Sequence, residues 1–154
     1  MLDTTTTLYG KSPDEVSAAL SALVLLEDLE FRQQGKISRS PAQEGKAVRY
    51  FARWVPYVKD EVVRARLEQV APSRWSLTTK HHGTGPDMDG AVVIVVESTI
   101  SIRLDDGSVI ERSNYGEGKS AKAAATDSFK RAALRFGIGH ELASRRGPAR
   151  LIRR

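Results

Sequence analysis

Gly116-Glu117-Gly118-Lys119-Ser120-Ala121-Lys122-Ala123-Ala124-Ala125-Thr126-Asp127-Ser128-Phe129-Lys130-Arg131-Ala132-Ala133-Leu134-Arg135-Phe136-Gly137 reads as one helix with defined ends. Gly118 precedes it, and Ser120 supplies a hydroxyl to cap the free amides of the first turn. Gly137 stands where a left-handed stop residue belongs, with Ile138 placed for the apolar contact that accompanies such a stop. Alanine, the best helix former, fills the interior. At about 100° per residue, Ala121, Ala125, Phe129, Ala132 and Phe136 fall on one side and predict a slim apolar stripe. Lys119, Lys122 and Lys130 gather in an arc of roughly 80° beside it. Arg131 and Arg135 sit together on another side.

Charge divides the chain at the same place. Before Lys119 there are 14 basic against 17 acidic side chains; from Lys119 onward there are 10 against 2. The net charge of +5 therefore comes from the helix and the residues after it. Cations concentrated in this way imply a polyanionic partner, of which nucleic acid is the commonest.

Outward from the helix, the elements take the order α–β–α–β–β–β–α. Ser12-Pro13-Asp14-Glu15 is a helix start, with a Ser cap, Pro at the first position and Glu three residues after Ser. Its wide apolar face, through Leu20, Leu23 and Leu26, predicts a helix running to about Phe31, buried against the domain or a neighbouring subunit. Met1 to Gly10 reads as loose. Arg32 to Lys46 reads as a polar linker broken by Gly35, Pro41 and Gly45. Ala47 to Tyr57 alternates as a strand ended by Pro56, and Val58 to Ala71 has a helical stripe of Val62, Val63, Leu67 and Val70. Trp75 to Lys80 reads as a strand and His81 to Gly90 as a loop.

Ala91 to Leu104 carries the strongest strand pattern, with Val92, Ile94, Val96, Ile100, Ile102 and Leu104 on one face and Ser98 as the interruption. Asp105-Asp106-Gly107-Ser108 predicts a hairpin turn into Val109 to Tyr115. Two registers remain open there. A two-residue loop pairs Leu104 with Val109, and a three-residue loop with Gly107 in a bulge pairs Ile102 with Ile110. His140 to Arg154 reads as a basic tail. The fold class is α+β, with an antiparallel β-β-β-α core of three or four strands and the long helix across one face.

Composition bounds the function further. With 154 residues, 40% hydrophobic and 28% charged, the expectation is a soluble globular chain with a real core. The absence of cysteine excludes disulfides and thiolate metal sites and fits a reducing cytosol. No apolar run is long enough to span a bilayer. Enzyme chemistry finds no footing. Adjacent His81-His82 is a poor metal site without a third ligand nearby, Asp87 and Asp89, which could join it, read as surface residues, and Asp105-Asp106 is turn chemistry. Gly116-x-Gly118-Lys119-Ser120 lacks the four-residue spacing of a phosphate loop. No metal and no cofactor is expected. Tyr50, Phe51, Trp54, Tyr57 and Tyr115 are candidates for stacking on bases, with core packing the plainer role; Trp75, Phe129 and Phe136 are assigned to the core.

Two groups of residues together carry a resemblance. The first is Tyr57 followed by a helix ending Arg66-Leu67-Glu68-x-Val70-x-Pro72, with Trp75 opening a strand. The second, more specific group is Gly116-x-Gly118, Ser120-x-Lys122-x-Ala124-x-Thr126-Asp127-x-x-Lys130-Arg131-Ala132, closing on Phe136-Gly137. Over roughly Ala47 to Leu142 the chain resembles the Rad fifty-two single-strand annealing superfamily. With its Phe136-Gly137-Ile138-Gly139 ending, it is most similar to the bacterial DdrA-like and phage Sak-like branch.

The resemblance implies subunits that close into a ring, single-stranded DNA in a basic groove, and annealing of complementary strands without ATP in recombination or DNA repair. It places residues 12–142 as the annealing domain, 1–11 as a flexible N-terminus and 143–154 as a basic C-terminal tail. Lys130 and Arg131 match the family's inner-groove basic pair. Leu134 departs from it, standing where eukaryotic members are basic, with Arg135 one residue on. Lys119, Lys122 and Arg135 are further DNA candidates on the helix, and Arg39, Lys46, Arg49 and Arg53 on the linker and strand before it. The implied partners are single-stranded DNA and copies of the chain, with a single-strand-binding protein left open. The expected location is the cytoplasm, on the nucleoid if the host is bacterial. A DNA 3′-end protection module and a scaffold with a basic tail stand as the alternative functions.

Overall fold

The computed structural model describes residues 6–143 and 150–152. The chain is α+β and divides into two compact units. The first comprises residues 1–23 and 60–140, the second residues 24–59 and 141–154. The expected antiparallel core of three strands with the long helix across one face is present in the first unit, and the second unit holds a further three-stranded antiparallel sheet where a single sheet was expected.

In the first unit, α1 (Pro13–Leu20) starts as the sequence predicts. Ser12 Oγ accepts from the Glu15 amide, and the Glu15 carboxylate accepts from the Ser12 amide at 2.7 Å. The helix ends at Leu20, eleven residues short of Phe31, although Ala22 to Leu29 has no local breaker. The reason is Arg66 on α2 (Asp60–Val70). Its guanidinium donates to the carbonyls of Ala19, Leu20, Ala22 and Leu23 at 2.8–3.4 Å. Those are carbonyls that a continuing helix would give to amides four residues on. A Cβ on Gly137 would stand 2.9 Å from the Ser21 Cβ, so the ends of α1 and α3 also meet at this point.

The sheet of this unit has the order β3-β4-β5, with β3 at Trp75–Pro86, β4 at Val92–Arg103 and β5 at Val109–Gly118. β3 runs through His81-His82, where a loop was expected, and takes up a bulge between His81 and Gly83. The β4–β5 register is the three-residue-loop alternative. Ile102 faces Ile110, and Gly107 supplies φ +85°. Ser98 is no interruption: it is fully buried, and its hydroxyl lies 2.6 Å from that of Ser128.

α3 (Ala121–Leu134) covers the Ser98 side of this sheet, capped by Ser120 at its start. Gly137 has φ +89° at its end, where the Ile138 amide returns to the Ala133 carbonyl at 3.2 Å. Its buried residues are Ala124, Ser128, Phe129, Ala132 and Ala133, whereas Ala121 is exposed. The expected stripe is therefore rotated, and the cause is β5. A Cβ on Gly116 would lie 2.6 Å from the Ser128 Cα, and one on Gly118 would lie 2.6 Å from the Ala124 amide nitrogen. Only residues without a Cβ let the helix backbone come this close. Val63, Leu67 and Val70 of α2 with Val96, Ile100 and Ile102 of β4 complete the core.

Thr6 to Lys11 carry contacts that the sequence does not announce. Leu8 is buried, and Asp105 accepts from the Tyr9 and Gly10 amides, each at 2.9 Å, and from the Thr7 hydroxyl at 2.7 Å. Arg74 pairs with the same carboxylate at 2.8 Å, and the Tyr9 hydroxyl donates to the Pro72 carbonyl.

In the second unit, the stretch read as a polar linker is β1 (Leu29–Arg39), paired antiparallel with β2 (Tyr50–Val58). β2 runs on past Pro56, which faces Phe31 on the neighbouring strand. Three residues of the expected basic tail form β6 (Arg150–Ile152), paired with Tyr50 to Ala52. α4 (His140–Ala143) is a single turn. Arg145, Arg146, Arg153 and Arg154 of that tail lie outside the described residues.

Substitutions test these contacts. Gly116→Ala forces the helix off the strand and destabilises the fold by at least about 1–3 kcal/mol. Gly85→Ala meets nothing within 4 Å and has no positive φ, so it stays within about ±0.5 kcal/mol. Chemical denaturation of the two variants beside the parent checks both. Asp105 is held well below the ordinary carboxylate range, first by the Gly10 amide and then by Thr7 and Tyr9. Its contribution is thus fully present above its unfolded pKa of about 3.9 and is lost only as pH falls toward the depressed folded value. Hydrogen exchange at Tyr9 and Gly10 should stay slow through pH 4 in the parent and rise about tenfold or more in Asp105→Ala.

Candidate nucleic-acid interface

The candidate cations of the first unit lie on two flanks of α3. Lys122 and Lys130 occupy the side away from β5, Lys122 exposed and Lys130 half-buried, with Lys119 exposed in the turn before the helix. Arg131 and Arg135 occupy the β5 side. Arg131 pairs with Asp127 at 3.1 Å, one turn earlier, and keeps 55% of its side chain exposed. The Asp127 oxygen that meets Arg131 also accepts from the Glu117 amide at 3.1 Å. One carboxylate thereby fixes both the strand and the guanidinium. Asn114 reaches the Arg131 carbonyl at 3.5 Å, and Arg135 Nη1 donates to the Ser113 carbonyl at 3.0 Å.

Three participants on this flank escaped sequence reasoning. Arg112 on β5 has the same parity as Ile110 and Asn114, so it faces the α3 side, 5.7 Å from the centre of the Phe136 ring. The β5 register would have revealed it. Asn114 and Asp127 position basic residues without being basic, and no charge count finds such residues. Tyr115, 52% exposed, lines a shallow concavity of about 170 Å³ with Val95, Gly116, Glu117 and Arg131. It is the candidate stacking ring of the first unit, exposed beside a cation. Trp75 stacks on the buried Phe129, with ring centres 6.5 Å apart, and donates to Glu68 at 2.8 Å.

The second unit carries the other four candidates. Arg39 ends β1 opposite Tyr50, and Arg53 lies in β2 in register with Gln34. Lys46 and Arg49, both exposed, line a concavity of about 420 Å³ with Ser40, Pro41 and Phe51. The Ser40 amide donates to the Arg49 carbonyl at 2.8 Å, and the Arg49 amide returns a bond to Ser40 Oγ at 2.9 Å, which closes the hairpin. Lys46 and Arg49 are therefore brought together, with Arg39 at the foot of the same loop.

Among the described residues, no three His, Cys, Asp or Glu side chains converge on a point where a metal would sit. His82 instead meets Glu97 at 2.9 Å and packs edge-on against Tyr115. Asp87 spends one oxygen on the amides of Asp89 and Ala91, a turn role. No helix among the described residues is long and apolar enough to cross a membrane.

A comparison with curated proteins finds no match. A comparison with protein families matches residues 12–147 to the family described as Rad52/22 family double-strand break repair protein. The matched span holds α1, both sheets' long strands, the Gly116–Gly118 contact and every candidate cation named above. The chain belongs to the Rad52/22 family of double-strand break repair proteins.

Proposed function

We propose that the chain binds single-stranded DNA and anneals complementary strands without ATP, as a ring of identical subunits. Family membership supplies the coarser ground: a repair and recombination role and a protein that is not an enzyme. The observation that carries the finer reading is the set of cations on the two flanks of a helix locked to its sheet by Gly116 and Gly118. Phosphates need cations at fixed intervals, and an annealing protein must leave base edges free for a second strand. A rigid helix presenting Lys130 and Arg131, with Lys119, Lys122 and Arg135 along it, meets both demands once per subunit. Arg39, Lys46, Arg49 and Arg53 add a second basic segment on the β1–β2 hairpin.

In this reading residues 12–142 are the annealing module and the chain sits in the DdrA-like and Sak-like branch. A single-strand-binding protein is a further partner. Leu25 and Leu26 of the second unit, each at least 60% exposed, are apolar surface available for contacts between subunits.

The test is annealing of two complementary fluorescent oligonucleotides without nucleotide or metal, at about 50 and 200 mM salt. Acceleration over the spontaneous rate that weakens with salt is expected. Tight binding with no acceleration would instead favour protection of 3′ ends. Lys130→Ala combined with Arg131→Ala should lower the slope of log K against log salt by about 1.4, at roughly 0.7 per phosphate contact on single strands. Size-exclusion chromatography should show the assembly unchanged; normal binding by this double variant would overturn the site.

A further inference from the structure

The first unit also holds an apolar cavity of about 310 Å³ that the DNA reading does not use. Leu8, Leu20 and Ile102, all buried, form its floor. Phe136 and two exposed guanidiniums, Arg112 and Arg135, line its solvent side. A ligand pocket of this kind starts at about 300 Å³, and about 150 Å³ of apolar cavity accepts a benzene ring. There is room for one large apolar side chain and the backbone that carries it.

The two guanidiniums decide what kind of ligand fits. Arg112 is held over the Phe136 ring and by one bond from Nη1 to the Glu111 carbonyl at 2.8 Å. Arg135 is held by one bond to the Ser113 carbonyl at 3.0 Å. A guanidinium has five N–H donors, so each keeps most of them. Among the described residues no carboxylate pairs with either one. Of the two acids on the nearby helix, Glu15 is committed to the Ser12 amide and Asp14 pairs with neither guanidinium.

We propose that this cavity docks the C-terminal end of a partner protein. An apolar last residue enters the cavity, and its carboxylate, with that of an acidic residue just before it, meets Arg112 and Arg135. A chain terminus is the one place in a protein where an apolar side chain and a carboxylate belong to the same residue. A phosphate alone would leave the apolar floor unfilled. A purely apolar segment would strip water from two guanidiniums and give them nothing in return. The apolar floor takes no part in the annealing reading, whereas Arg112 and Arg135 at its rim also stand on the candidate DNA flank, so docking is read by a peptide titration without DNA.

Fluorescence anisotropy of a labelled peptide, Ser-Gly-Asp-Asp-Leu-Phe with a free C-terminus, titrated with the whole chain, tests it. Saturable binding is expected. Amidating the terminus and the Arg112→Ala substitution should each weaken it by about tenfold, the worth of one charge-assisted hydrogen bond. Val16→Trp, which places an indole in the cavity, should abolish it, with circular dichroism confirming the fold. Should that variant unfold, Arg112→Ala at an exposed position decides alone. Absence of saturable binding, or binding indifferent to both amidation and Arg112→Ala, overturns the proposal. So does a Val16→Trp variant that binds the peptide normally, or one whose assembly falls apart while the parent ignores the peptide, since a second copy would then be the occupant.

Discussion

The first unit depends on how close α3 comes to β5. Two glycines, alternating along one strand, lack the Cβ atoms that would hold the helix away. Everything else on that face follows from the approach. Ser128 reaches Ser98, so a buried polar pair is satisfied instead of stranded. Asp127 reaches the Glu117 amide and Arg131 together. The same approach turns the helix so that Ala124 and Ser128 face inward, which decides where its cations point outward.

Much of this was legible in the sequence. The capped start at Ser12, the cap at Ser120, the stop at Gly137 and the β4–β5 hairpin each rest on local chemistry, and each is where the residues place it. The rotation of α3 was not legible, because a wheel weighs only side chains of the helix itself. Gly116 and Gly118 stand out in the sequence as a motif without the spacing of a phosphate loop, whereas their function is to be small. β1 was missed because Gly35, Pro41 and the charged residues around them imitate a linker. The pairing with β2 satisfies that backbone and needs few apolar side chains, since most of β1 is exposed. His81-His82 was missed as strand for a similar reason: a bulge absorbs the glycine beside it.

The candidate site divides in the same way. Basic residues announce themselves by charge, and the concentration that begins at Lys119 is a property of composition alone. Which of them stand together is a property of register. Arg112 joins Arg131 and Arg135 only through the pairing of β5 with β4, and Lys46 joins Arg49 only through closure of the hairpin by Ser40. Asp127 lowers the charge of the set by one while holding Arg131 in place, so the acid is part of the basic surface's construction.

The end of α1 has a different origin from the end of α3. α3 is stopped by a residue inside its own sequence, and α1 by a side chain more than forty positions away. A stop of the second kind does not exist until its donor has been made. As the chain leaves the ribosome, residues 13–29 emerge well before Arg66, and their own propensity toward helix is then unopposed. In the folded chain the Arg66 guanidinium takes up the carbonyls of Ala19, Leu20, Ala22 and Leu23 around the boundary at Leu20. The residue that ends this helix is thus synthesised after it, and a single guanidinium marks the boundary.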